Sequence, residues 1–166
     1  FFAKENTLYF TAPYTDTDLT AANGAGLISV DGNITGLIVF REALFIFTQR
    51  NISQLTGNTA SDFQLQPVTR NVGCIAPDTI QEVSGDVMFL GPEGLRLLSA
   101  TDRIGDFNLG LVSKSIQKEM TSFINSNTSF ASSVIKQKSQ YRVFGYNPST
   151  SSSSTVSIVG VQKSGQ

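Results

Sequence analysis

The sequence lacks most of the side chains from which catalytic centres are built. It contains no histidine and a single cysteine, Cys74. A serine or cysteine nucleophile would have no imidazole base, and a zinc site of thiolates and imidazoles cannot form. A disulfide within the chain is equally impossible, so we expect Cys74 to be buried and unreactive in a strand or turn. We therefore expect no catalytic residues, no cofactor and no bound metal.

Two groups of carboxylates remain as candidates for chemistry. Asp16, Asp18 and Asp31 could suggest a calcium loop, but their spacing lacks the glycine and the distal glutamate of an EF-hand. We interpret them instead as loop-tip aspartates that form Asx turns. Asp102 and Asp106 could act as the paired carboxylates of a hydrolase. Because no second acidic cluster accompanies them, a salt-bridged turn is the preferred interpretation.

The arginines are the remaining charged candidates. The formal net charge of −1 gives no electrostatic case for nucleic acid as the main partner. Several arginines on one inner rim could nevertheless line a DNA passage through contacts that ignore base sequence. The candidates for such a channel or interface are Arg41, Arg50, Arg70, Arg96 and Arg103. The alternative is that these side chains only keep the surface soluble.

Short apolar segments separated by turns make up most of the chain. Twelve phenylalanines, with abundant serine, threonine, asparagine and glycine, favour strands over helices. The segments 34–40, 43–48 and 52–55 are separated by polar breaks of hairpin length, and 63–68 alternates apolar and polar residues. This pattern predicts an antiparallel meander of three or four strands. The longest apolar run, 36–40, is far too short to cross a bilayer.

The same pattern occurs three times, over residues 27–70, 79–100 and 132–161. Middle strands aligned on Leu44, Val87 and Arg142 are about 43 and about 55 residues apart, and the first interval matches one propeller blade. The next interval is longer because a helix is inserted at 111–124. The apolar residues of this insert recur at helical spacing, and Ser113 could cap its start. They are Val112, Ile116, Met120, Phe123 and Ile124.

These patterns predict an all-β protein. We expect a partial β-propeller of antiparallel meander blades with one inserted amphipathic helix, and a β-sandwich is the alternative. Three blades are fewer than the roughly four to eight of a closed ring. The 166 residues, which begin at Phe1, are therefore expected to be a single domain or a fragment of a larger propeller.

Three stretches also carry a resemblance to a known family. They are GLIVFREALFIFTQRNISQLTG (36–57), DFQLQPVTRNVGCIAP (62–77) and GDVMFLGPEGLR (85–96). They resemble tail proteins of marine and cyanobacterial phages and, more distantly, the tail nozzle (tail tubular protein B) of short-tailed phages. The resemblance covers residues 8–118 and lies in the order of strands and turns. The nozzle family is much longer than this chain, and the serine-rich part after Tyr146 has no counterpart in it.

The resemblance implies a structural, non-enzymatic component of the virion, located in the phage tail. It implies a nozzle-like homo-oligomeric ring that assembles with a tail adaptor or neighbouring tail proteins. DNA would pass through this ring with non-specific contacts, and no membrane would be involved. Two alternatives are a sugar- or receptor-binding β module and a propeller glycosidase. Exposed aromatic residues around Tyr9, Tyr14 and Tyr146 would favour the binding module.

Overall fold

A computed structural model describes residues 1–99, 111–149 and 155–161 of the chain. The protein is mostly β, with four antiparallel sheets, and no sheet closes on itself within the described residues. One helix, α1 (Gln117–Ser126), lies entirely within them. The prediction of an all-β protein is thus confirmed. The chain divides into two compact units, Phe1–Gly73 (unit 1) and Cys74–Gln166 (unit 2).

The first sheet of unit 1 contains the three strands nearest the start of the chain. They are β1 (Phe2–Lys4), β2 (Thr7–Phe10) and β3 (Gly26–Ser29). Strand β3 pairs back onto β2, with Leu8 opposite Ile28, instead of joining the strands that follow it. The meander expected over 27–70 therefore begins at Ile34. The physical reason is the turn at Gly32, whose φ of +92° redirects the chain between the two sheets.

The second sheet of unit 1 is a four-stranded meander. Its strands are β4 (Ile34–Phe40), β5 (Ala43–Thr48), β6 (Ile52–Thr56) and β7 (Gln64–Thr69), neighbours in that order. Arg41 and Glu42 join β4 to β5 with φ of 48° and 63°, the positive values that a tight hairpin turn requires. Pro67 lies in β7, at the edge of the sheet, where a residue without an N–H is tolerated.

The two sheets of unit 1 share one apolar core. Leu8 lies in β2 and Val30 directly follows β3. Both pack with three residues of the second sheet. These three are Leu44, Ile46 and Leu55. Strand β5 is buried at all six positions, as expected for a middle strand. The core therefore joins two successive meanders into one unit.

Unit 2 also contains two antiparallel meanders. The first comprises β8 (Gln81–Val83), β9 (Asp86–Gly91) and β10 (Gly94–Leu97), and the second comprises β11 (Ser129–Ile135), β12 (Gln140–Tyr146) and β13 (Val156–Val161). They lie where the sequence predicts the meanders of 79–100 and 132–161. Val87 lies in β9 and Arg142 in β12, each a strand with a neighbour on both sides. Leu44 lies in β5, which also has a neighbour on both sides. The three residues used for the alignment therefore all lie in middle strands.

The inserted helix is shorter than expected. Leu111 is bridged to Arg96 beside β10, and a 3-10 turn over Lys114–Ile116 precedes α1. The predicted cap at Ser113 is wrong, because its hydroxyl accepts a hydrogen bond from the Leu95 N–H at 3.2 Å instead. Competition from the β10 backbone keeps this segment out of the helix.

The core of unit 2 combines both meanders with α1. Val83, Met88, Leu90 and Leu95 come from the first meander, and Tyr141 and Val143 come from β12. Met120 and Phe123 cover this core from the helix, as the helical spacing predicts. The apolar face of each meander is thus covered within its own unit.

One buried threonine connects three parts of unit 2. Thr79 donates its hydroxyl hydrogen to the Ala76 carbonyl at 2.6 Å and accepts the Leu90 N–H of β9 at 3.1 Å. Its own carbonyl accepts the Tyr141 hydroxyl of β12 at 2.7 Å. Both side chains are almost completely buried, so these hydrogen bonds satisfy polar groups that water does not reach.

Replacing Thr79 with valine removes this bridge while it keeps the side-chain shape. The Leu90 N–H would lose its acceptor inside the core, which costs about 1–3 kcal/mol. We expect a lower free energy of unfolding by chemical denaturation and faster amide hydrogen exchange at Leu90. Thr121→Val, at an exposed position of α1, is the control and should change stability by less than about 0.5 kcal/mol. Unchanged exchange at Leu90 would show that the bridge is not needed.

Tyr141 should make unit 2 sensitive to alkali. Burial raises the pKa of Tyr141, because the phenolate would be desolvated. The folded-state pKa is therefore above the unfolded value of about 10, and the stabilisation is fully present below that pH. It is lost as the pH rises further, because only the unfolded chain then releases the proton. We expect the free energy of unfolding, measured by chemical denaturation, to fall less steeply above about pH 10 in Tyr141→Phe than in the native protein. Equal slopes of this free energy against pH in the two proteins would contradict the prediction.

Candidate functional site

Three loops meet at one end of the second sheet of unit 1 and line an open polar cavity of about 490 Å³, in which the side chains of Arg50 and Arg70 are exposed. We call this cavity the loop cleft. The loops are the connection from β3 to β4, the turn from β5 to β6, and the exit from β7. The cleft is lined mainly by Asp31, Asn33, Gln49, Arg50, Asn51 and Arg70. Side chains that are far apart in sequence therefore converge because antiparallel strands bring alternate turns to the same end of a sheet.

The turn from β5 to β6 is held rigidly. The Thr48 N–H donates to the Asn51 carbonyl at 2.9 Å, and the Asn51 N–H donates to the Thr48 hydroxyl at 3.0 Å. The Thr48 hydroxyl in turn donates to the Asn51 side-chain oxygen at 2.5 Å. The Asn51 amide group donates to the Asp31 carbonyl at 2.7 Å. These bonds fix two walls of the loop cleft relative to each other.

A glycine brings a third segment against this turn. A Cβ atom at Gly73 would overlap the backbone of Thr48 and Arg50, so only glycine allows the chain to pass this closely. The segment that follows Arg70 therefore packs on the outside of the turn. Close backbone packing and the hydrogen bonds of Asn51 together give the loop cleft a defined shape before any ligand arrives.

The loop cleft carries an excess of positive charge. Within the described part of the chain, neither Arg50 nor Arg70 has an ion pair or a side-chain hydrogen bond. Asp31 is the carboxylate among the lining residues, and its side chain likewise has no hydrogen bond to a described residue. Two arginines and one aspartate give a local formal charge of about +1, in contrast to the net −1 of the chain.

The five predicted channel or interface arginines are distributed differently from a single rim. Arg50 and Arg70 lie together at the loop cleft, whereas Arg41 lies at the opposite end of β5, about 20 Å away at the rise of a strand. The Arg41 guanidinium stacks over the Phe40 ring at 4.8 Å. Arg96 is only 1% exposed and pairs with Glu93 at 3.1 Å, so it is an interior group of unit 2. Arg103 lies outside the described residues.

The acidic candidates do not form a metal site in the described ranges. Asp18 accepts hydrogen bonds from the Thr20 N–H at 2.8 Å and the Asn23 amide at 2.7 Å, which confirms its predicted Asx turn. The Asx turns predicted at Asp16 and Asp31 are wrong, because neither side chain accepts a hydrogen bond from a described residue. Hydrogen bonds from Thr20 and Asn23 lower the pKa of Asp18. Asp102 and Asp106 lie outside the described residues. Elsewhere in 1–99, 111–149 and 155–161, no cluster of three cysteine or carboxylate ligands is present.

The exposed aromatic residues are spread over both units. Tyr14 is fully exposed at a loop tip, and Tyr146 is exposed at the end of β12. Tyr9 is half-buried and stacks on Phe2, with ring centroids 5.1 Å apart. In unit 1, no ring contact joins Tyr9 to Tyr14 among the described residues.

The loop cleft was not predicted as a unit. Arg50, Arg70 and Asp31 stood out separately, and Asn33 and Gln49 were not among the predicted binding residues. The available signal was the alternation of turns along a meander, since every second turn lies at the same end of the sheet. Counting turns would have grouped Arg50 with Arg70 and separated both from Arg41.

No family model and no curated protein matches this sequence. No helix in the described ranges combines the length and the apolar character needed to span a membrane. The phage-tail resemblance therefore remains a prediction from the sequence stretches that carry it.

Cys74 is buried as predicted, and its thiol donates to the Ala76 carbonyl at 3.1 Å. Burial raises the pKa of Cys74, so little of the reactive thiolate is present at pH 8. We expect iodoacetamide to label Cys74 much more slowly in the native protein than in guanidinium chloride. Mass spectrometry over time measures both rates in the same preparation. Equal rates would contradict a buried, unreactive thiol.

Proposed function

We propose that this chain is a structural β module of a phage particle, a component of a nozzle-like ring in the tail. The observation that carries the proposal is the pairing of successive meanders on a shared core in each unit. A meander has one apolar face, which must be buried against another element. A chain that repeats this unit solves the problem by stacking, which is how blades of a propeller are stabilised.

The burial of two middle strands, β5 and β9, favours propeller blades over a β-sandwich, although the middle strand β12 alternates between buried and more exposed positions. A sheet of a sandwich packs one face on the core and turns the other to solvent. Strands β5 and β9 are instead buried at all six positions each, so neither face of these strands is turned to solvent. Blades that lie between two neighbours have this property. We therefore propose that the meanders are consecutive blades of a larger propeller.

A ring also requires surfaces for lateral contact. Val39 is 71% exposed on β4, and Leu65 is partly exposed on β7, the two edge strands of the same sheet. Exposed apolar side chains on strand edges are suited to contacts with another subunit. The proposed partners are further copies of the chain and neighbouring tail proteins. The DNA passage is proposed from the phage-tail resemblance.

Purified virions of the phage that encodes this chain provide the direct test. Quantitative mass spectrometry and immunogold labelling should find the chain in several identical copies at the tail. Its absence from the particle, or a single copy, would overturn the proposal. Labelling on the capsid would retain a structural role but reject the nozzle.

A variant tests the lateral contact separately. Val39→Lys introduces a charge on the edge strand β4 and should reduce incorporation into particles at least tenfold, while circular dichroism stays unchanged. Leu19→Lys is the matched control, because Leu19 is 56% exposed in the loop between β2 and β3 and belongs to no strand edge. Equal incorporation of both variants would show that β4 is not an assembly surface.

A further inference from the structure

We propose that the loop cleft binds an acidic sugar, a residue that carries a carboxylate together with ring hydroxyls. This inference is independent of the ring proposed above, because it depends only on side chains within unit 1. It rests on three properties of the cleft: unpaired cations, uncommitted hydrogen-bonding groups and a preformed shape.

The cations provide the site for the carboxylate. Arg50 and Arg70 line the same cavity, and neither guanidinium is neutralised by a described residue. Guanidinium groups bind carboxylates through two parallel hydrogen bonds, which makes them more selective for planar anions than lysine is. A carboxylate between these two arginines would form charge-assisted hydrogen bonds in a partly enclosed site.

The remaining lining residues match sugar hydroxyls. Asp31 offers carboxylate oxygens that accept O–H hydrogens, and Asn33 and Gln49 offer amides that both donate and accept. None of these three side chains forms a hydrogen bond with another described residue. Their hydrogen-bonding capacity is therefore available to a ligand that carries several hydroxyls around one anionic group.

The cleft is formed before binding. The Asn51 amide group holds the Asp31 loop, and the Gly73 contact supports the turn that carries Arg50. A site whose walls are already ordered loses less conformational entropy when the ligand binds. Small polar ligands, which bury little apolar surface, depend strongly on such preorganisation.

Charge and size favour a sugar acid over a polynucleotide. Binding to nucleic acid relies on a track of cations that releases many counterions from the phosphates. The loop cleft has two cations among its lining residues, too few for such a track. Its volume of about 490 Å³ is within the range of small-ligand pockets. One or two sugar rings fit this description better than an extended strand.

Titration followed by NMR of the full chain tests the proposal. The probes are digalacturonate, glucuronate and N-acetylneuraminate, with the neutral sugar lactose and a short DNA duplex as comparisons. We expect the best sugar acid to bind at least tenfold more tightly than lactose or the duplex. The shifted amides should be those of Gly32, Gln49, Arg50 and Arg70.

Matched variants connect the binding to the proposed groups. Arg50→Gln and Arg70→Gln should each weaken the binding of the best sugar acid about tenfold or more, as expected for loss of a charge-assisted bond. Arg41→Gln, at the opposite end of the same sheet, should leave it unchanged. Asp31→Asn should weaken the binding of the sugar acid but strengthen the binding of acetate, which has no hydroxyls.

Several results would contradict the proposal of a sugar-acid site. Absence of binding by all three acids, equal affinity for lactose, or tighter binding of the duplex would overturn it. So would sugar binding that Arg50→Gln and Arg70→Gln leave intact while their spectra show a folded protein. None of these results bears on whether the chain assembles into a tail ring.

Discussion

The apolar face of an antiparallel meander must be covered, and the rest of this structure depends on that requirement. A sheet that leaves its apolar face in water forgoes the stabilisation that burial of that face would provide. Each unit solves this by placing two meanders on one core, with Leu8, Leu44 and Leu55 in unit 1 and Leu90, Tyr141 and Val143 in unit 2. Two polar side chains at the core of unit 2, Thr79 and Tyr141, are paired by hydrogen bonds.

Covering the sheet faces leaves the turns as the places where polar side chains converge. Strand β5 contributes only buried residues, so its charged neighbours, Arg41 and Arg50, lie in the turns at its two ends. Alternate turns then meet at the same end of the sheet. The loop cleft is thus a consequence of the meander, and its chemistry can vary without disturbing the core that supports it.

The strands with strong local signals were predictable. Strand β5 is a continuous apolar run between two polar breaks, and β8 to β10 are separated by turns that contain glycine. The pairing of β3 with β2 was not predictable, because its strand is short and its partner lies across the long loop 11–25. The helix start at Gln117 was also missed. The helical spacing of Val112 and Ile116 predicted an earlier start. The sequence does not show that Leu111 pairs with β10, which keeps the preceding segment out of the helix.

The candidate site was predictable only in part. Arg50 and Arg70 stood out by charge, but their proximity depends on the register of β6 with β7, in which Ile52 lies opposite Thr69. The burial of Arg96 could not be predicted from the sequence pattern, even though its partner Glu93 is only three residues away. Side-chain identity indicates which chemistry is available, whereas register decides which groups share a cavity.

The order of strands has a consequence for how the protein is made. In all four sheets, every described strand pairs only with strands adjacent to it in sequence. Contacts between sequence neighbours close short loops, which lowers the entropic barrier to folding. Each unit of two meanders can therefore fold soon after it leaves the ribosome, without waiting for the rest of the chain. Synthesis would then deliver the protein as two units that fold in turn, which limits the time during which unpaired edges are open to aggregation.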